Sequence, residues 1–127
     1  MIDVNRVLQA AQDQDASDIH LVCGFPPMIR VHRIMTALEF DVITPEDGRK
    51  LLSQMVSAEQ VKEFEKNKDL DFSYDAEGVG RYRVNAHMQR GALGFAMRTI
   101  KTEVPPLSGL NLPDVISRLT YLPRGLV

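Results

Sequence analysis

Between Asp69 and Ile100 the chain alternates polar and apolar residues in three successive runs. Leu70, Phe72 and Tyr74 alternate with Asp69, Asp71, Ser73 and Asp75. Tyr82, Val84, Ala86 and Met88 alternate with Arg81, Arg83, Asn85, His87 and Gln89, and Leu93, Phe95 and Met97 with Gly94, Ala96 and Arg98. A period of two sends successive side chains to opposite faces, so each run reads as a half-buried strand. Together they form an antiparallel meander with one apolar and one polar face. The apolar face needs a second layer to cover it, and the flanking segments supply helices.

Val4, Val7, Leu8 and Ala11 recur at helical spacing, which predicts an amphipathic helix over residues 2–14. The run ASDIHLV then switches to period two, with Ile19 and Leu21 facing one way and Asp18 and His20 the other. Gly24, Pro26 and Pro27 end that strand, and MIRVHRIMTALEF resumes an extended pattern with a bend inside it. Thr44-Pro45 starts a helix with buried Leu51, Leu52, Met55 and Val56, its first turn carrying Glu46 and Asp47. Ser57-Ala58-Glu59-Gln60 is a capping box that opens a further short helix with Val61 and Phe64. The expected class is α+β, an antiparallel sheet with helices packed on one face. TEVPPLSGLNLP reads as a linker and DVISRLTYL as one short helix.

Composition fits one soluble globular domain: 127 residues, 44% hydrophobic and 25% charged. Fifteen basic against seventeen acidic side chains give a net charge of −2, which argues against a nucleic-acid-binding or membrane-surface protein. One cysteine, Cys23, excludes an intrachain disulfide and a Cys-rich zinc site. No run approaches the ~18 apolar residues of a membrane span, so no membrane insertion is expected.

Pairing apolar residues with apolar ones sets the strand register. A tight turn at Arg90-Gly91 sets Met88 against Leu93 and Val84 against Met97, and on the polar face Arg83 directly opposite Arg98. A loop at Ala76-Glu77-Gly78 sets Phe72 against Tyr82, which brings Asp71 beside Arg83. Arginines facing each other across a ladder have Cβ atoms roughly 5 Å apart and repel mildly. Either Asp71 neutralises Arg83 while Arg98 is solvated, or the pair awaits an anion; the pattern leaves both open.

Other polar residues carry less. His20, His32, His87 and Cys23 lack ligand spacing on any one element, so no metal site is expected. Cys23 has no activating histidine nearby in sequence. Asp18 and His20 share a strand face and fit either a structural hydrogen bond or an acid–base pair. No G-x-x-x-x-G-K-[ST] loop occurs, so the chain alone lacks the machinery to hydrolyse nucleotide and no catalytic residue is assigned.

ASDIHL, then PPMIRV, then GVGRYRVNAHMQRGALGFAMRTI, then LNLPDVISRLTYLPRGLV together resemble the N-terminal part of type IV pilus retraction ATPases. These are the PilT-type twitching-motility motors within the wider family of type II and type IV secretion ATPases. The resemblance implies a PAS-like domain over residues 1–102. Residues 103–127 would then be a linker, a short helix and the entry to a RecA-like P-loop domain. It further implies a cytoplasmic homo-hexamer, peripheral to the inner membrane at the pilus base and working with the pilus inner-membrane machinery. ATP and Mg would be bound mainly by the P-loop domain and not by this chain alone. Arginines on this domain in related ATPases reach toward nucleotide phosphates, and the matching positions are Arg83 in GRYRVN and Arg98 in AMRTI. Asp71 and Arg81 are possible supporting residues.

Relatives commonly carry an Asn-Gly turn after the strand matching MIRV, whereas this chain has His32-Arg33. His-Arg suits a type I′ turn poorly, so another or longer turn is expected there. Two further readings stand beside the retraction motor: a stand-alone PAS-like sensor or interaction domain, and the same domain of a pilus-assembly or type II secretion ATPase. The motor-like tail through PRGLV disfavours the sensor, and the single helix before ASDIHL favours the retraction branch.

Overall fold

The computed structural model describes residues 2–126. Of the two spans expected from the sequence, Met1 in the first and Val127 in the second lie outside the described residues. Helix α1 (Val4–Asp13) is capped by Asp3, whose carboxylate accepts from the Asn5 and Arg6 amides. Strand β1 (Asp18–Leu21) follows, then β2 (Met28–Val31) and β3 (Ile34–Ala37). Helices α2 (Pro45–Met55) and α3 (Ala58–Asn67) each begin with a closed capping box, Thr44 with Asp47 and Ser57 with Gln60. The meander is β4 (Asp69–Ala76), β5 (Gly80–Gln89) and β6 (Ala92–Ile100).

All six strands form one antiparallel sheet in the order β3-β2-β1-β6-β5-β4. The fold is thus α+β, as the alternation requires. Ile19, Leu21, Ile29, Val84, Phe95 and Met97 line the sheet's apolar face, each at most 2% exposed. Val4, Val7 and Leu8 of α1, Leu51 and Leu52 of α2 and Phe64 of α3 are buried in the same core. Each fully buried aliphatic or aromatic side chain stabilises this layer by about 1.5–3 kcal/mol. Gly48 lets α2 approach β6 closely, since a Cβ there would lie 3.3 Å from the Leu93 carbonyl oxygen. Gln54 ties α2 to the start of α1 by accepting from the Val4 amide at 3.0 Å.

Two local expectations need correction. Residues 28–37 form a tight hairpin, with Val31 paired to Ile34 and only His32-Arg33 between them. Both turn residues have positive φ, 47° and 69°, as a type I′ turn requires. The β2–β3 ladder, paired from Met28–Ala37 to Val31–Ile34, closes the turn that its side chains disfavour.

The β4–β5 register also differs. Phe72 pairs with Val84, not Tyr82, and Asp71 pairs with Asn85, not Arg83. The connection is Glu77-Gly78-Val79, closed by the Val79 amide on the Ala76 carbonyl with Gly78 at φ 74°. A two-residue slip keeps every side chain on its expected face, so hydrophobicity cannot choose between these registers and turn geometry does.

Beyond Ile100 the chain leaves the sheet. A 3₁₀ turn (Leu107–Leu110) and α4 (Asp114–Leu119) bury no residue, and Val104 and Tyr121 are 92% and 85% exposed.

Candidate functional site

The helices cover one face of the sheet and leave the other open. Cross-strand register sets five polar residues in one row across it: Arg30, Asp18, Arg98, Arg83 and Ser73, from β2, β1, β6, β5 and β4. The row forms because β1, central in the sheet, pairs on both sides through Asp18. Three guanidinium groups and one carboxylate share it.

Asp18 is the best-enclosed member, its side chain 18% exposed against 78% for Arg98. Arg98 Nε donates to Asp18 Oδ1 at 3.2 Å, Arg30 Nε lies 3.5 Å from Oδ2, and Ser17 Oγ donates to Oδ2 at 2.9 Å. Burial opposes ionisation of Asp18. The hydrogen bonds from Ser17 and Arg98, with the charges of Arg98 and Arg30, outweigh it and hold the carboxyl below the usual aspartate range. Arg83 is exposed and has no carboxylate within ion-pair distance among the described residues.

Asp71, expected beside Arg83, instead accepts from the Asn85 amide at 3.1 Å, and Asp69 accepts from the same amide at 2.8 Å. His87 Nδ1 sits 3.0 Å from Asn85 Oδ1, which only accepts, so that nitrogen carries the proton. Asp18, His20, Asp71, Arg83, Asn85 and Arg98 border an open hollow of about 300 Å³ floored by Val84, Ala96 and Met97. Small Ala96 opposite Asn85 leaves this space unfilled.

The structure therefore brings Arg83 and Arg98 together, as register predicted, and keeps Asp71 in the same hollow without pairing it to arginine. Arg81 lies outside the hollow's lining, opposite Asp75 and Ile100. Asp18 bonds to Ser17 and the arginines, not to His20. Among the described residues no three His, Cys, Asp or Glu side chains gather to hold a metal, and Cys23 is a half-buried free thiol. No helix of the described residues is long and apolar enough to cross a membrane.

What sequence reading missed is the partner of Arg98. Parity put Asp18 on the polar face, but its meeting with Arg98 depends on β1 docking beside β6, a pairing of distant segments with no local signal. Chemically, the row offers guanidinium edges to an anion. Among the described residues Arg83 has no side-chain partner, and Arg98 is engaged through Nε alone.

The antiparallel α+β domain matches ATPases in comparisons with known proteins. No family model matches the chain. The type IV pilus retraction ATPase PilT of Pseudomonas aeruginosa is 35% identical over 126 residues, 99% of this chain and 37% of that protein. The crystal structure of the pilus retraction motor PilT with bound ADP superposes with a TM-score of 0.83 at 36% identity, covering 94% of this chain and 35% of that one. The Legionella pneumophila ATPase DotB superposes with a TM-score of 0.75 at 30% identity, covering 91% of this chain and 33% of that one. The chain thus spans about a third of the length of the relatives it matches. In sequence and fold it is an N-terminal domain of the pilus retraction ATPase family.

Proposed function

We propose that this chain is the regulatory and assembly domain of a hexameric ATPase motor that powers type IV pilus retraction. The observation that carries this reading is the superposition on ADP-bound PilT over 94% of the chain. In the proposed motor, residues 1–102 form the PAS-like domain and residues 103–127 lead into a P-loop domain. That domain would hold ATP and Mg, and neighbouring P-loop domains would build the homo-hexamer at the cytoplasmic base of the pilus, against its inner-membrane machinery. The unburied side chains of Val104, Leu107, Leu110, Val115 and Tyr121 suit a segment covered by further protein.

Arg83 and Arg98 are the residues that approach nucleotide phosphate. Their fit rests on the row itself, where a free guanidinium and a half-engaged one stand side by side on an open face. Phosphoryl transfer needs positive charge placed where the transferred group gathers negative charge, and planar forks supply it. In this reading the part of the chain is to place charge and to couple neighbouring subunits.

The test is to purify the complete gene product and to delete its gene in the host. The reading expects ATP turnover by a hexamer, and loss of surface twitching with pili retained. A product without ATP turnover, or twitching unchanged by the deletion, would contradict it.

A further inference from the structure

Asp18 accepts from the Nε of Arg98 and from nothing else on that guanidinium. Its other oxygen is claimed by Ser17 and faces Arg30. A guanidinium can bind oxygens along its Nε side or through its terminal nitrogens. Asp18 occupies the first, so the end of Arg98 remains open, and the side chain is 78% exposed there. The carboxylate is itself fixed, being only 18% exposed and hydrogen-bonded by Ser17. It also draws Arg98 toward β1, away from the like charge of Arg83 opposite.

We propose that Asp18 is a positioning residue for Arg98: it holds the guanidinium by its Nε side so that the terminal nitrogens are presented to phosphate oxygens beside Arg83. This rests on the phosphate-facing reading given above. Without Asp18, a long exposed side chain samples many rotamers, and ordering it during each turnover costs conformational entropy. Asp18 also lowers the positive charge of the row from three to two, so its loss should strengthen loose anion attraction while weakening oriented binding. Positioning therefore predicts a fall in kcat with KM unchanged or slightly lower, where a charge effect alone would move KM.

The experiment measures steady-state ATP turnover of the complete protein carrying Asp18→Asn, Arg98→Ala and both changes. Misplacement of a catalytic group by about 1 Å costs on the order of 100-fold. The expected result is a kcat loss of roughly 10- to 100-fold for Asp18→Asn. Adding it to Arg98→Ala should cause no further loss, because the two act as one unit. Wild-type turnover in Asp18→Asn beside a slow Arg98→Ala overturns the positioning role and leaves the phosphate-facing reading standing. Equal, independent losses that add in the double variant also overturn it. Wild-type turnover in Arg98→Ala removes the phosphate-facing reading and this role with it. Should Asp18→Asn fail to fold, Ser17→Ala frees the carboxylate from its 2.9 Å hydrogen bond while keeping its charge. That variant should lose several-fold in kcat, and an unchanged kcat overturns the proposal.

Discussion

Arg83 and Arg98 stand directly opposite each other across the β5–β6 ladder, yet among the described residues only Arg98 has a carboxylate within ion-pair reach. The asymmetry separates their contributions to stability. Since Asp71 is held by Asn85, removing Arg83 orphans no partner and relieves a repulsion of a few tenths of a kcal/mol. Arg83→Ala should therefore melt at or slightly above the wild-type temperature. Arg98→Ala should cost less than about 1 kcal/mol, as an exposed ion pair does. Thermal unfolding of both variants checks the order, and a lower melting point for Arg83→Ala than for Arg98→Ala would contradict it.

Asp18 makes stability depend on acid. Its folded pKa lies below the usual aspartate value of 3.8, so its contribution is complete above that value and is lost as pH falls through the lower folded pKa. Glu46 and Asp47 are shifted the same way, so acid weakens the wild type through several groups. Urea unfolding at pH 6 and pH 3 should show a smaller acid-induced loss in Asp18→Asn than in the wild type. Equal losses would mean that Asp18 is not held by its arginines in solution.

The β2–β3 turn carries two side chains in left-handed backbone, His32 and Arg33. Each costs on the order of 1 kcal/mol relative to residues that tolerate that region. Replacing them with Asn-Gly should raise stability by about 1 kcal/mol or more. The check is a shift in the urea midpoint with unchanged slope. No gain would mean that the hairpin adopts another turn.

Tyr82 is 1% exposed, and its hydroxyl has no hydrogen-bond partner among the described residues. Burial raises its pKa. Tyr82→Phe keeps the ring and removes the unpaired group, so melting should stay level or rise, by up to about 1 kcal/mol of stability. A loss above that would show that the hydroxyl is satisfied.

Much of this was legible in the residues. Alternation marked β4 to β6, and Thr44 and Ser57 announced two helices through local capping chemistry. The Arg83–Arg98 pairing followed because a loop of two or four residues around Arg90-Gly91 gives the same register, with apolar residues facing each other. Sequence failed where parity was silent, as at Asp71, because a two-residue slip leaves the faces unchanged. It failed at His32-Arg33 because the β2–β3 ladder on either side of the turn overrode local turn preference. It could not pair Asp18 with Arg98, since strands so distant in sequence meet only once the sheet is assembled.

The most direct test of the central claim is ATP turnover by the complete protein with Arg83→Ala, since Arg83 carries no ion pair among the described residues. If it faces phosphate as an arginine finger does, kcat should fall on the order of 10³-fold while melting is preserved, and Arg83→Lys should restore little because lysine lacks the planar fork. Wild-type turnover in Arg83→Ala, or full rescue by lysine, would return the open face to an ordinary solvated surface.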